Sequence, residues 1–206
     1  MVDFWNSLLT EKSWNLLINL SKEFEFIVIG GWAAYLWTGL HKSKDIDISL
    51  TDIKKLEYLK DKYNLKKNDN LKKYEISFEE IDVDIYVPYY SKLPIPAEEL
   101  KEYTTRIEGF TVLKSEALLI LKQGAEEQRE DSVKGMKDRV DIMTLLCFAG
   151  IDLKRYSKLL KRYKLEHYFL RLKNVINNFK DYNYLNLNPR EFKLKKKEIL
   201  EDLKKW

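Results

Sequence analysis

Four apolar residues, Phe26, Ile27, Val28 and Ile29, run straight into Gly30 and Gly31, and a helix-forming stretch at 32–37 follows without a spacer. So short a run of mainly branched apolar residues reads as a buried strand, and Gly39 marks the end of the helix after it. Strand, glycine turn and short helix leave the chain few ways to fold around this point. Neither glycine has a Cβ, so backbone amides at the turn are open to an anion such as a triphosphate, and a helix N-terminus favours its charge. A Gly-Gly pair alone is most often only a turn. Its meaning depends on what comes next.

Residues 45–50, Asp-Ile-Asp-Ile-Ser-Leu, alternate strictly between polar and aliphatic. On a strand this puts the Asp45 and Asp47 carboxylates on one face, where they can share a cation. Thr51 or Asp52 is expected to cap a helix reaching about residue 63. Two more strands, 74–78 and 81–87, are joined so closely at Glu79 and Glu80 that they form an antiparallel hairpin. The second carries Asp82 and Asp84 in the same alternation. Neighbouring strands lie only about 4.8 Å apart, so one of these acids can complete a cluster of three carboxylates. Without His or Cys partners, such a cluster is a hard oxygen site suited to Mg²⁺ that also meets substrate phosphates. A lone Asp-x-Asp is more often a solvated strand face. Here a glycine turn precedes it and a second acidic strand follows.

This order resembles the nucleotidyltransferase superfamily that includes DNA polymerase β, matched by Ile29-Gly30-Gly31, then Asp45-Ile46-Asp47-Ile48, then Val83-Asp84-Ile85. Within it, Gly30-Gly31-Trp32-Ala33-Ala34-Tyr35-Leu36 and the residues His41-Lys42-Ser43-Lys44-Asp45-Ile46-Asp47 look most like the AbiEii type and the minimal nucleotidyltransferases. His41 stands where those sequences usually have Arg, and Ser43 where they have Thr. The resemblance implies an α+β fold with a mixed sheet and flanking helices, followed by a helical bundle. It implies transfer of a nucleoside monophosphate from an NTP to an acceptor hydroxyl with two Mg²⁺ ions. Asp45 and Asp47 would bridge the metals, and Asp84, in preference to Asp82, would be the third ligand. Gly30, Gly31 and Ser43 would hold the β- and γ-phosphates. Further along, Lys122, Arg129 and Lys137-Asp138-x-x-Asp141 look like the helical motif of these families, which gives Lys122 to the triphosphate. Asp138 and Asp141 are the better candidates for pairing with basic neighbours at helical spacing. The acceptor expected is RNA, in particular a tRNA 3′ end, in a toxin-like role with an antitoxin as possible protein partner. A protein or small-molecule acceptor, or a non-catalytic nucleotide-binding module, are the alternatives.

The remainder of the chain frames this site. Pro88, Pro94 and Pro96 close the sheet run, and a further strand is expected at 109–113. From Ser115 onward apolar residues recur at helical spacing, with helices expected at 152–163, 165–179 and 189–206 and a preceding one at 10–24. The boundary between an α+β lobe, 1–114, and a helical lobe, 115–206, falls near Lys114. Residues 153–206 hold 16 Lys and Arg against 6 Asp and Glu, although the whole chain carries only +4. That surplus either steers a polyanion such as RNA or is an ordinary solvated helix surface. Tyr163, Tyr168, Phe169, Phe179, Tyr182 and Tyr184 either stack bases or, more commonly, fill a bundle core. The single cysteine, Cys147, lies in an apolar stretch, which excludes an intramolecular disulfide and fits a reducing cytoplasm. The first residues lack a leader pattern, and no uncharged run is long enough to span a membrane. Two histidines and one cysteine cannot assemble a zinc site, and Walker A and Gly-x-Gly-x-x-Gly patterns are missing.

Overall fold

A computed structural model describes residues 6–205. Helix α1 (Ser7–Glu23) leads to strand β1 (Ile27–Ile29), helix α2 (Gly30–Thr38), strand β2 (Ile46–Ser49) and helix α3 (Lys55–Lys62). Strands β3 (Lys66–Asn68), β4 (Lys73–Phe78) and β5 (Ile81–Tyr86) follow. A 3₁₀ segment (Ala97–Tyr103) then precedes the hairpin of β6 (Thr104–Ile107) and β7 (Phe110–Leu113). One mixed sheet takes all of these strands in the order β3-β4-β5-β2-β1-β7-β6. Beyond it lie α4 (Ser115–Gln128), α5 (Val133–Phe148), α6 (Leu153–Tyr163), α7 (His167–Asn178) and α8 (Pro189–Leu203). The expected α+β class, mixed sheet and C-terminal helices are all present. No helix among the described residues is long and apolar enough to cross a membrane.

The centre of the sheet explains its sequence pattern. β1 is flanked by β2, antiparallel, and β7, parallel, and all three of its residues are buried. It therefore needs apolar side chains on both faces. β2 and β5 run parallel and alternate instead: Ile46, Ile48, Val83 and Ile85 are buried, while Asp47 and Asp84 face a cleft. Helix α2 is pinned on two sides. The Trp32 indole donates to Ser13 Oγ of α1 at 2.9 Å, and the Trp37 indole donates to the Leu113 carbonyl of β7 at 2.8 Å. The helix ends at Gly39, whose φ of 69° lies in the left-handed region.

Several boundaries differ from expectation for local reasons. α1 starts at Ser7 rather than residue 10, because Asn6 caps it by accepting a hydrogen bond from the Leu8 amide. Asp52 accepts from the Lys54 amide at 2.9 Å, but this makes a turn before α3 rather than its cap. β3 and β6 have no apolar alternation to announce them, being the edge strands of the sheet. The helix expected at 165–179 is α7, which starts at His167 and ends at Asn178, and α8 ends at Leu203. Residues 1–5 and Trp206 lie outside the described residues. Asp152 and Asn188 cap α6 and α8, and Asn188 with Glu191 forms a capping box.

In the helical region the aromatic residues go to packing. Tyr168 and Phe179 are buried, and Tyr163, Phe169, Tyr182 and Tyr184 pack against the core. Tyr182 stacks on Phe192 with ring centroids 5.9 Å apart. His41 is buried, and its Nε2 bonds the Tyr184 carbonyl, joining the loop ahead of β2 to the 3₁₀ turn Tyr182–Leu185. The lysine run is partly engaged: Lys196 Nζ donates to the Asn177 carbonyl at 2.7 Å, and Lys195 and Lys197 pair with Glu198 and Glu201. Cys147 is free and buried, which pushes its thiol pKa up to about 11.

Candidate active site

The expected residues converge at one end of β1. The register sets Ile29 opposite Asp47 and Asp47 opposite Asp84, so the glycine turn and two carboxylates stand side by side across three strands. α2 begins at Gly30 itself, with φ 65° and no side-chain cap, which leaves the first-turn amides of the helix pointing at this spot. Both glycines are required by close approach. A Cβ on Gly30 would lie 2.0 Å from Asp47 Oδ2, and a Cβ on Gly31 would lie 2.6 Å from Ser43 Oγ. Asp47 and Ser43 thus lie against the glycine backbone, with Ser43 buried.

Asp45 sits one residue ahead of β2, and its Oδ1 is buried with no hydrogen-bond partner. Burial raises the Asp45 pKa, with Lys44 opposing and Asp47 reinforcing the shift. Burial also pushes Asp84 up to about 6; Asp47 beside it adds to this, and a hydrogen bond from Lys73 at 2.6 Å opposes it. Asp82 is placed differently. It is exposed, one step beyond the Ile46 and Val83 pair, and accepts from Ser77 Oγ at 2.9 Å. It flanks Asp45 rather than Asp47.

Among the described residues, no three His, Cys, Asp or Glu side chains are gathered closely enough to hold one metal ion as they stand. The donor chemistry nevertheless fits a hard cation. Asp45 Oδ1 is a buried carboxylate oxygen lacking any hydrogen-bond partner, and the Asp47 and Asp84 carboxylates stand side by side on adjacent strands. The Asp84 carboxylate is paired with the Lys73 ammonium.

Lys122 is buried and already matched. Its Nζ lies 2.6 Å from Asp141 Oδ2 and 3.4 Å from Asp138 Oδ1. Burial opposes its charge, but Asp141 and Asp138 together raise its pKa above that of an ordinary lysine. Arg129 grips Asp138 with two bonds, from Nε at 2.6 Å and Nη2 at 2.9 Å. Asp138 and Asp141 therefore do pair with basic residues, though across α4 and α5 rather than along one helix. Lys137, by contrast, reaches over the glycine turn. Its Nζ is 3.3 Å from Ser43 Oγ, and a Cβ on Gly31 would come within 3.2 Å of it.

Two connected spaces open here. A cavity of about 70 Å³ is walled by Gly31, Ser43, Asp45, Lys134 and Lys137. A neighbouring hollow of about 220 Å³ has Asp47, Asp84 and Lys73 at its base and Leu93, Pro94 and Leu121 on its wall. Gly124 allows that wall to close, since a Cβ there would lie 2.3 Å from Pro94. A further hollow of about 360 Å³, near Phe24, Phe26 and Arg106, opens at the other end of β1, away from the carboxylates. Lys73 and Lys134 were not singled out in the sequence, and Lys137 stood out there only as the basic residue of the Lys137-Asp138-x-x-Asp141 motif. Lys73 was countable: the Glu79 and Glu80 turn sets Glu75 opposite Asp84, with Lys73 diagonal to it on the same face. Lys134 and Lys137 depend on how α5 docks, for which the sequence has no local signal.

The sequence matches no protein-family model and no curated protein. Solved structures do match. A candidate nucleotidyltransferase from H. pylori aligns over 97% of this chain and 96% of its own, with TM-score 0.53 and 18% identity. The H. pylori protein JHP933 aligns over 96% and 93%, with TM-score 0.52 and 18% identity. The antibiotic-resistance factor ANT(2'')-Ia aligns over 80% of this chain and 95% of its own, with TM-score 0.52 and 13% identity. At these identities the likeness establishes the fold, which is that of nucleotidyltransferases.

Proposed function

We propose that this chain, with its nucleotidyltransferase fold, transfers a nucleoside monophosphate from an NTP to an acceptor hydroxyl and releases pyrophosphate. The observation that carries this reading is the Gly30, Asp47 and Asp84 alignment across adjacent strands, with the orphaned Asp45 Oδ1 beside it. Asp45, Asp47 and Asp84 would hold Mg²⁺. When bound, two such ions would neutralise charge on the attacking and leaving oxygens of an in-line displacement.

The chain's own groups have separate tasks. The amides of Gly30 and Gly31, at the uncapped start of α2, and the Ser43 hydroxyl would bind the β- and γ-phosphates. Lys137, beside Ser43, would add positive charge there. Lys122 would act from behind, through Asp138 and Asp141, to hold α4 and α5 in register under the site. Asp84, beside Asp47 at the face of the cleft, is placed to accept the acceptor's hydroxyl proton. The acceptor oxygen bonds to the α-phosphorus as the bond from that phosphorus to the bridging oxygen breaks, and pyrophosphate leaves with that electron pair.

An RNA acceptor, in particular a tRNA 3′ end, is supported by Lys73, Lys92, Arg129 and Lys134 around the larger hollow and by the basic C-terminal residues. Nucleotides added to a tRNA end would block its use, a toxin-like effect that an antitoxin partner would restrain. A small-molecule acceptor is the second reading, favoured by the likeness to an antibiotic-resistance factor. The deciding experiment follows label from each α-³²P-NTP, with Mg²⁺, into RNA, protein or small molecules. Label in RNA that disappears in Asp45→Asn and Asp47→Asn supports the reading. Label retained by the double variant would refute the site assignment.

A further inference from the structure

Lys73 has two carboxylates within reach, and only one of them belongs to the metal set. Its Nζ lies 2.6 Å from Asp84 Oδ2 and 3.0 Å from Glu75 Oε1. The hairpin makes this unavoidable, because β4 and β5 set Glu75 opposite Asp84 and put Lys73 two residues away on the same face. The lysine is buried, with its side chain 11% exposed, whereas Glu75 is 30% exposed and also accepts from Asn68 Nδ2 at 3.0 Å. Glu75 is thus a preformed second dock on the solvent side of Asp84.

We infer that Lys73 is a resident counter-cation of the metal site: its ammonium holds Asp84 while the metal is absent and passes to Glu75 when a divalent cation takes Asp84. The inference rests on the metal-dependent reading above. A cation bound to the same oxygen, at the usual Mg–O distance, would come within about 5 Å of the ammonium if the lysine stayed. Two positive charges that close, in a partly buried cleft, repel strongly. A shift to Glu75 relieves that repulsion without leaving a buried ammonium unpaired. The arrangement accounts for a carboxylate cluster that keeps its fold in the empty state, since Lys73 offsets the repulsion between Asp47 and Asp84. It makes Lys73 and Glu75 positioning residues that set metal affinity in opposite directions.

The test uses Mn²⁺ as probe on the full chain, with free Mn²⁺ followed by electron paramagnetic resonance and folding followed by circular dichroism. Lys73→Gln removes the competitor and is expected to tighten Mn²⁺ binding by about tenfold. Glu75→Gln removes the second dock and is expected to weaken it by about tenfold, at unchanged secondary structure. A merely structural lysine would give weaker or unchanged binding in both variants, which overturns the inference. If Lys73→Gln does not fold, Glu75→Gln, partly exposed and conservative, decides alone: unchanged affinity there overturns it. Wild type that binds no Mn²⁺ at the carboxylates, with no difference from Asp45→Asn, overturns the metal reading and this inference with it. Normal wild-type binding with no opposite shifts overturns the inference alone.

Discussion

Replacing Gly30 by alanine separates what the glycine turn does for the fold from what it does for the site. Gly30 adopts φ 65°, where an L-residue incurs roughly 1–2 kcal/mol of backbone strain. For a chain of this size that strain lowers Tm by about 2–8 °C. The alanine Cβ would also stand 2.0 Å from Asp47 Oδ2, whereas real Cβ contacts essentially never fall below 3.0 Å. The carboxylate must therefore retreat by about 1 Å, and a misplacement of that size at a reacting centre costs about 100-fold in rate. Gly39→Ala is the control. Its φ of 69° carries the same strain, but no atom lies within 4 Å of the added Cβ. The two variants should show similar thermal melts, while metal-dependent transfer of label from α-³²P-NTP falls about 100-fold in Gly30→Ala and less than about twofold in Gly39→Ala. If both lost activity equally, or if Gly30→Ala kept it, the close packing of Asp47 on the turn would have no bearing on catalysis.

Four other outcomes are expected. Asp84→Asn should abolish NMP transfer and Asp82→Asn should leave most of it, since Asp82 is exposed and bonded to Ser77; equal rates in the two variants would refute Asp84 as the third acid. Asp141→Asn leaves the buried Lys122 short of its nearest counter-charge and should cost roughly 3–5 kcal/mol in denaturant unfolding; a change under about 1 kcal/mol would show that Asp138 suffices alone. Cys147, with its thiol pushed up to about 11, should resist alkylation at pH 8 in the native state and react on unfolding, which mass spectrometry would follow. Changing Lys195, Lys196 and Lys197 together to Gln should weaken RNA binding and flatten its salt dependence without altering NTP affinity; unchanged RNA binding would assign those lysines to their contacts with Asn177, Glu198 and Glu201.

Much of the site was legible because its signals are local. Strand alternation set Asp45 and Asp47 on one face, and the two-residue turn at Glu79 and Glu80 fixed the register of β4 on β5, whereas the parallel pairing of β2 with β5 that brings Asp84 beside Asp47 joins residues far apart in the chain. The glycines announced a close approach, and the structure supplies the atoms that approach, Asp47 Oδ2 and Ser43 Oγ. The helix caps at Asp152 and Asn188 were likewise written in neighbouring residues. Edge strands β3 and β6 were not legible, because a strand with few buried side chains needs no apolar period.

The sequence by itself determined the order of most elements and the shared strand face of Asp45 and Asp47, set by periodicity and turn chemistry within a few residues, while the fold class and the preference for Asp84 came with the family resemblance. The tertiary structure decided which charge meets which. Lys122 pairs with Asp138 and Asp141 only because α4 docks on α5, and Lys137 meets Ser43 only because α5 docks over α2. Pairings between residues distant in the chain depend on the packing angles of whole helices, which follow from the summed burial of many side chains rather than from the residues that finally touch.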